Sequence, residues 1–114
     1  MLSIQIDDTQ KRVYVEVSGY INKKESKDFL NQYKQMTKGI RSSQYNLVVK
    51  TSMFDCEEAD DIKSVCMAFM KTGYKKMYLV DPNSYIMSTM SLGPIEKKIF
   101  TKSVKVVKNV NDIK

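Results

Sequence analysis

The chain has 114 residues, 42% hydrophobic and 28% charged, with a net charge of +6; this is the size and composition of a single domain, spanning 1–114, and it excludes wholesale disorder. No apolar run approaches the roughly 20 residues needed to cross a bilayer, and Met1 to Asp8 lacks the basic start and apolar stretch of a secretion signal, so the expected location is cytoplasmic. Histidine is absent, which removes the commonest general base and the commonest transition-metal ligand together.

Leu2, Ile4 and Ile6 alternate with polar residues, Asp8-Thr9-Gln10 interrupts, and Val13, Val15 and Val17 resume. This is two strands joined by a short turn, the second ended by Ser18-Gly19. Asn22 followed three residues later by Glu25 is a helix-start signature. Phe29, Leu30, Tyr33, Met36 and Ile40 continue it at helical spacing until Gly39 closes the helix. Tyr45 to Val49 reads as an apolar strand, with Thr51 and Met53 extending its alternation. A second helix is expected from about Cys56 to Lys71, its apolar stripe formed by Ala59, Ile62, Val65, Cys66, Phe69 and Met70, with Thr72-Gly73 closing it. Met77 to Val80 gives a fourth strand. After the turn Asp81-Pro82-Asn83, Ser84 to Met90 fits a short helix broken at Gly93-Pro94. Ile95 to Thr101 suits a helical turn, Val104 to Val107 a last strand, and Val110 to Ile113 a terminal turn.

The order is β-β-α-β-α-β-α-β. Strand-helix-strand units require crossover connections, so the predicted fold class is α/β with a mixed, mostly parallel sheet of about five strands and about three to four helices. In such sheets ligands and partners gather at the carboxyl ends of the strands.

Charge is unevenly spread. Residues 1–50 carry nine basic and five acidic groups, 51–70 one and five, and 71–114 nine and three. The lysines are scattered and the aromatics do not interleave with them, so the basic total does not make a nucleic-acid platform. The acids concentrate in "SMFDCEEADDIKS", residues 52–64. Asp55 as N-cap with Glu58 three residues on forms a capping box, and Glu57 adds to the favourable charge of that first turn. Asp60 and Asp61 are not explained by capping. Consecutive carboxylates on a helix diverge, and no calcium-loop spacing is present, so neither a metal site nor a cofactor is implied. Catalysis by paired carboxylates needs a second cluster, which the sequence does not bring here. Cys56 at a helix start should have a thiol pKa lowered by the dipole, against the opposing pull of Glu57 and Glu58. If one helix holds Cys56 and Cys66 they lie about 15 Å apart, too far for a disulfide. Met36, Met67, Met70 and Met77 fall on expected core faces, whereas Met87 and Met90 are candidates for an exposed apolar patch.

Three stretches, "VEVSGYIN" (Val15 to Asn22), "YNLVVKTSMFD" (Tyr45 to Asp55) and "KKMYLVDPN" (Lys75 to Asn83), together with the order of elements, resemble the STAS domain of the anti-sigma factor antagonist family (sporulation antagonist-like). The resemblance implies a STAS-like fold and a non-enzymatic protein-interaction module whose partner is an anti-sigma factor or a kinase. In that family the loop after the third strand reads Asp-Ser-Ser-Gly and a serine in it is phosphorylated. Laid on this chain, Asp55 is retained, Cys56 and Glu57 replace the serine pair, and Glu58 replaces the glycine. The phosphoacceptor is therefore missing; the nearest hydroxyl, Ser52, lies in the expected strand. Glu57 would supply fixed charge in place of a phosphate, though one carboxylate copies about −1.5 to −2 charges only in part. The expected partner-binding residues are Asp55, Cys56, Glu57, Glu58 and Asp61. The alternative is a carrier of a lipid or other apolar molecule held between sheet and helices.

Overall fold

Along the sheet the five strands stand in the order in which the chain makes them. The computed structural model describes residues 1–81, 94–109 and 113. Strand β1 (Leu2–Asp7) is antiparallel to β2 (Arg12–Ile21). Strands β3 (Asn46–Cys56), β4 (Lys76–Val80) and β5 (Val104–Val107) follow, each parallel to its predecessor. Helix α1 (Lys23–Thr37) joins β2 to β3, and α2 (Ala59–Thr72) joins β3 to β4. Two crossovers of one hand stepping in one direction put both helices on the same face. The core lies under them, between Val13, Val15, Val17 and Ile21 of β2, Leu47 and Val49 of β3, and Ile62, Val65 and Phe69 of α2. Phe29 and Tyr33 of α1 meet Phe69 with ring centroids 5.2 to 6.2 Å apart, which locks the two helices together. Each fully buried aliphatic side chain contributes about 1.5–3 kcal/mol. On the opposite face Val48, Tyr78, Val80, Val107 and Ile113 form a second, smaller cluster.

Two of the helix ends follow the chemistry that the sequence makes explicit, and a third departs from it. Asn22 caps α1, its side-chain oxygen accepting the Glu25 N–H at 2.8 Å. Gly73, with φ +82°, closes α2 in the left-handed conformation that a side chain would resist. Glu25 does not complete the reciprocal half of its box; its carboxylate accepts the Leu2 N–H at 3.0 Å and pairs with the amino terminus at 3.7 Å, fastening β1 to α1. The third place is the start of α2, which comes at Ala59, three residues later than expected, because β3 runs on through Cys56.

The three to four helices expected on the sheet are not matched. Among the described residues two, α1 and α2, pack on it as a layer, and a shorter helix α3 (Pro94–Ser103) leads directly into β5. The helix expected over Ser84 to Met90, and with it the Met87 and Met90 patch, lies outside the described residues, as does most of the expected turn at 110–113. Of the four methionines expected in the core, Met70 and Met77 pack against it, while Met36 and Met67 are only half-buried and stand outside the cluster. No described helix is long and apolar enough to cross a membrane.

Candidate functional site

The last residues of β3 carry an irregularity that decides what this edge presents. Between Val17 and Gly19 of β2 there is one residue, but between their partners Thr51 and Phe54 there are two, so β3 holds an inserted residue. A bulge of this kind reverses the sidedness of everything after it. Phe54 turns into the core at 8% exposure, and Met53, expected to extend the alternation of the strand, is 76% exposed. Thr51, just before the bulge, anchors the strand: its hydroxyl lies 2.8 Å from Asp81 Oδ1 and 3.1 Å from the Val80 carbonyl oxygen. Asp55 follows outward, opposite Tyr20 of β2, which is 61% exposed. The edge therefore shows Tyr20, Met53 and Asp55 together. Tyr20 and Met53 were not expected from the sequence, although adjacent apolar residues Met53-Phe54 in an alternating strand already signal that one of them must point out.

The capping box expected of Asp55 and Glu58 does not form. Glu58 is itself the N-cap, in extended conformation, and its side chain makes no capping bond. Asp55 belongs to β3, and its Oδ1 accepts the N–H of the next residue, Cys56, at 2.8 Å. Glu57 is committed elsewhere: its Oε2 accepts the N–H of Lys23 at 3.0 Å, and its own N–H donates to the Ile21 carbonyl at 2.9 Å. It thus caps α1, satisfying one of the N–H groups that a helix start leaves open. Position in the fold, rather than local sequence, selects between these carboxylates.

Asp55, Glu57, Glu58 and Asp60 are all exposed, whereas Asp61 is turned in at 6% exposure. Its Oδ2 is buried and finds no hydrogen-bond partner among the described residues. Cys56 is half-buried and Cys66 fully so, and both thiols are free. The Cys56 thiol pKa is raised, first by burial, then by Asp55 and Asp61, which overturns the lowering expected at a helix start. Burial alone pushes Cys66 up to about 12. Neither is disposed to act as a thiolate. Among the described residues no group of three or more Cys, Asp and Glu side chains is arranged to hold a metal ion. Between sheet and helices, the void lined by Leu47, Phe69, Met70 and Met77 measures about 20 Å³, room for about one water and not for an alkyl chain.

The sequence matches no protein-family model and no curated protein. Solved structures do match. The anti-sigma factor antagonist SpoIIAA in its unphosphorylated form superposes with a TM-score of 0.59 over 98% of this chain and 92% of its own, at 9% identity. The fold is STAS-like. An uncharacterised DUF3478-family protein with a SpoIIAA-like fold, from Shewanella loihica PV-4, gives a TM-score of 0.63 over 98% of this chain and 88% of its own, at 8% identity. At such identities the likeness is one of fold, and function has to be argued from this chain's own residues.

Proposed function

We propose that this STAS-like chain is a non-enzymatic protein-interaction module that binds its partner through the end of β3 and the start of α2. The partner class suggested by the likeness to an anti-sigma factor antagonist is an anti-sigma factor or its kinase, met in the cytoplasm. The supporting observation is the composition of the edge: exposed Asp55, Glu57 and Glu58 beside exposed Tyr20 and Met53, at the carboxyl end of parallel strands. An apolar pair rimmed by charge is the ordinary anatomy of a protein contact. Asp61 and Cys56, expected from the sequence to join this surface, face inward and in this reading seat the start of α2 instead. No serine stands where the resemblance places a phosphoacceptor, so the negative charge is permanent and the module is not switched off by a kinase.

The test is capture of partners by the immobilised chain from its native lysate, compared with Asp55→Lys/Glu58→Lys and with Tyr20→Ser/Met53→Ser. Glu57 is left intact in both, since it also caps α1. A partner held by the wild type and lost by either variant supports the reading; unchanged capture by both rules this edge out. Phosphate found on Ser52 in protein purified from its own cells would overturn the permanent-charge part.

A further inference from the structure

On the outer side of the helical layer, α1 and α2 enclose an open groove of about 910 Å³. Its apolar lining is Leu30 of α1 with Met67 and Ala68 of α2, all half-buried. Its walls carry Lys34 from the last turn of α1 and Lys38, the C-cap residue just beyond it, with Lys63 and Lys71 from α2; among the described residues the one acid lining it is Asp60. Lys34, Lys38 and Lys71 are exposed and form no ion pair among the described residues. The charge here is opposite to that of the β3 edge.

The ordinary explanation covers part of this. Lysines in the last turn of a helix complement its macrodipole, and Lys34 and Lys71 sit there. Lys63, early in α2, and Met67, standing between Lys63 and Lys71, are not covered by it. The spacing is regular: Leu30, Lys34 and Lys38 fall four apart, and Lys63, Met67 and Lys71 do the same. Residues four apart share one side of a helix, so each wall is a row about 12 Å long, which is just over two turns.

We propose that this groove is a docking site for an acidic amphipathic helix of a partner protein. A helix lays an apolar stripe into such a groove through anchors at i, i+3 or i+4, and i+7, the same two-turn length as the walls. Carboxylates flanking its stripe would lie along the lysine rows, giving the charge complementarity that sets orientation and partner choice. A lipid surface fits the shape less well. The apolar side chains, Leu30, Met67 and Ala68, are half-buried in the groove beside the lysines of their own helices, and reaching them takes a convex ridge rather than a flat face. The inference does not depend on the reading of the β3 edge, since it concerns the outer side of the helices.

The probe is a fluorescein-labelled synthetic helix of about 18 residues, with leucines at i, i+4 and i+7 and glutamates flanking them. It is titrated with the full chain by anisotropy at physiological salt, and backbone amide shifts report where it binds. The expected result is a dissociation constant on the order of micromolar, with shifts concentrated on α1 and α2. Lys34→Glu/Lys38→Glu/Lys71→Glu should weaken it about tenfold or more, and Lys75→Glu/Lys76→Glu/Lys105→Glu, of equal net charge, less than about twofold. Met67→Gln, a single neutral change, should weaken it about threefold and serves if the triple variant does not fold. The proposal is overturned by equal weakening in the two charge variants, by equal affinity for the same peptide with lysine in place of glutamate, or by shifts outside the helical layer. Absence of binding at about 1 mM peptide also overturns it, as does binding to phosphatidylglycerol vesicles with none to the peptide.

Discussion

Replacing Phe54 and Met53 by alanine, one at a time, tests the bulge that shapes the β3 edge. In an unbroken alternation from Thr51, Met53 would be the core residue and Phe54 the exposed one; in the structure Phe54 is 8% exposed and Met53 76%. Removing a buried phenyl ring leaves a cavity and costs about 3–5 kcal/mol. Removing an exposed side chain that touches no core residue stays within about 0.5 kcal/mol. With total stabilities of about 5–15 kcal/mol, Phe54→Ala should therefore forfeit about a fifth or more of the margin, while Met53→Ala should be close to silent. Urea unfolding followed by circular dichroism reads this directly. At a slope of about 1–3 kcal/mol per molar, the Phe54→Ala midpoint should fall by on the order of 2 M with the slope unchanged. If Met53→Ala costs as much as Phe54→Ala, the inserted residue is misplaced, and the exposed Tyr20, Met53 and Asp55 surface built on it falls too.

Two further outcomes follow from the same edge and core. Glu57→Ala should destabilise by about 1 kcal/mol, because it removes the carboxylate that accepts the Lys23 N–H, and Glu57→Gln should cost less, since it keeps an acceptor and loses only the charge at the helix start; thermal melts showing no loss in Glu57→Ala would mean that the cap contributes nothing. Buried Cys66 stays protonated in the fold until about pH 12, while an unfolded thiol loses its proton from about 9. Stability from this group is complete below pH 9 and drains away as pH rises between those values, by up to about 1.4 kcal/mol per pH unit. Tyr33 and Tyr74, whose pKa values are also raised by burial, steepen the loss above about 10. Urea midpoints taken across this range should fall, less so at its start in Cys66→Ala, and a thiol reagent near pH 8 should reach Cys66 only after unfolding. Labelling of Cys66 in the native protein as fast as Cys56 would contradict its burial.

What the residues reveal on their own is decided by how local each determinant is. The β2 valines, the Asn22 cap and Gly73 act through their own backbone or nearest neighbours, and each element they imply is present. The β3–α2 junction is different. Asp55 is the better N-cap by chemistry, yet the carboxylate that caps a helix is that of Glu57, and the choice was made by Ile21 and Lys23, more than 30 positions away in sequence, which hold Glu57 against the start of α1. The bulge is likewise invisible to a period of two, which assumes that no residue is inserted, and its only local trace is the pair Met53-Phe54. Asp61 reads as one more acid in an acidic run, yet it stands four residues before Val65 and eight before Phe69, on the buried side of α2, so its inward turn was legible in the helical spacing. The lysine rows were present as four-residue spacings, but a groove exists only once two helices lie side by side.

The order of strands along the sheet has a consequence for how the chain is assembled. Because strand order and chain order coincide, no strand has to be inserted between two others that are already paired. Each one adds to the free side left by its predecessor, the first across a short turn and the later ones across a single crossover, so pairing never waits for a segment beyond the next one in the chain. During synthesis the antiparallel pair and then α1 with β3 emerge as a platform onto which the rest is laid in turn. The side awaiting the next strand is the unprotected one at every step, and it is closed last by the four residues of β5.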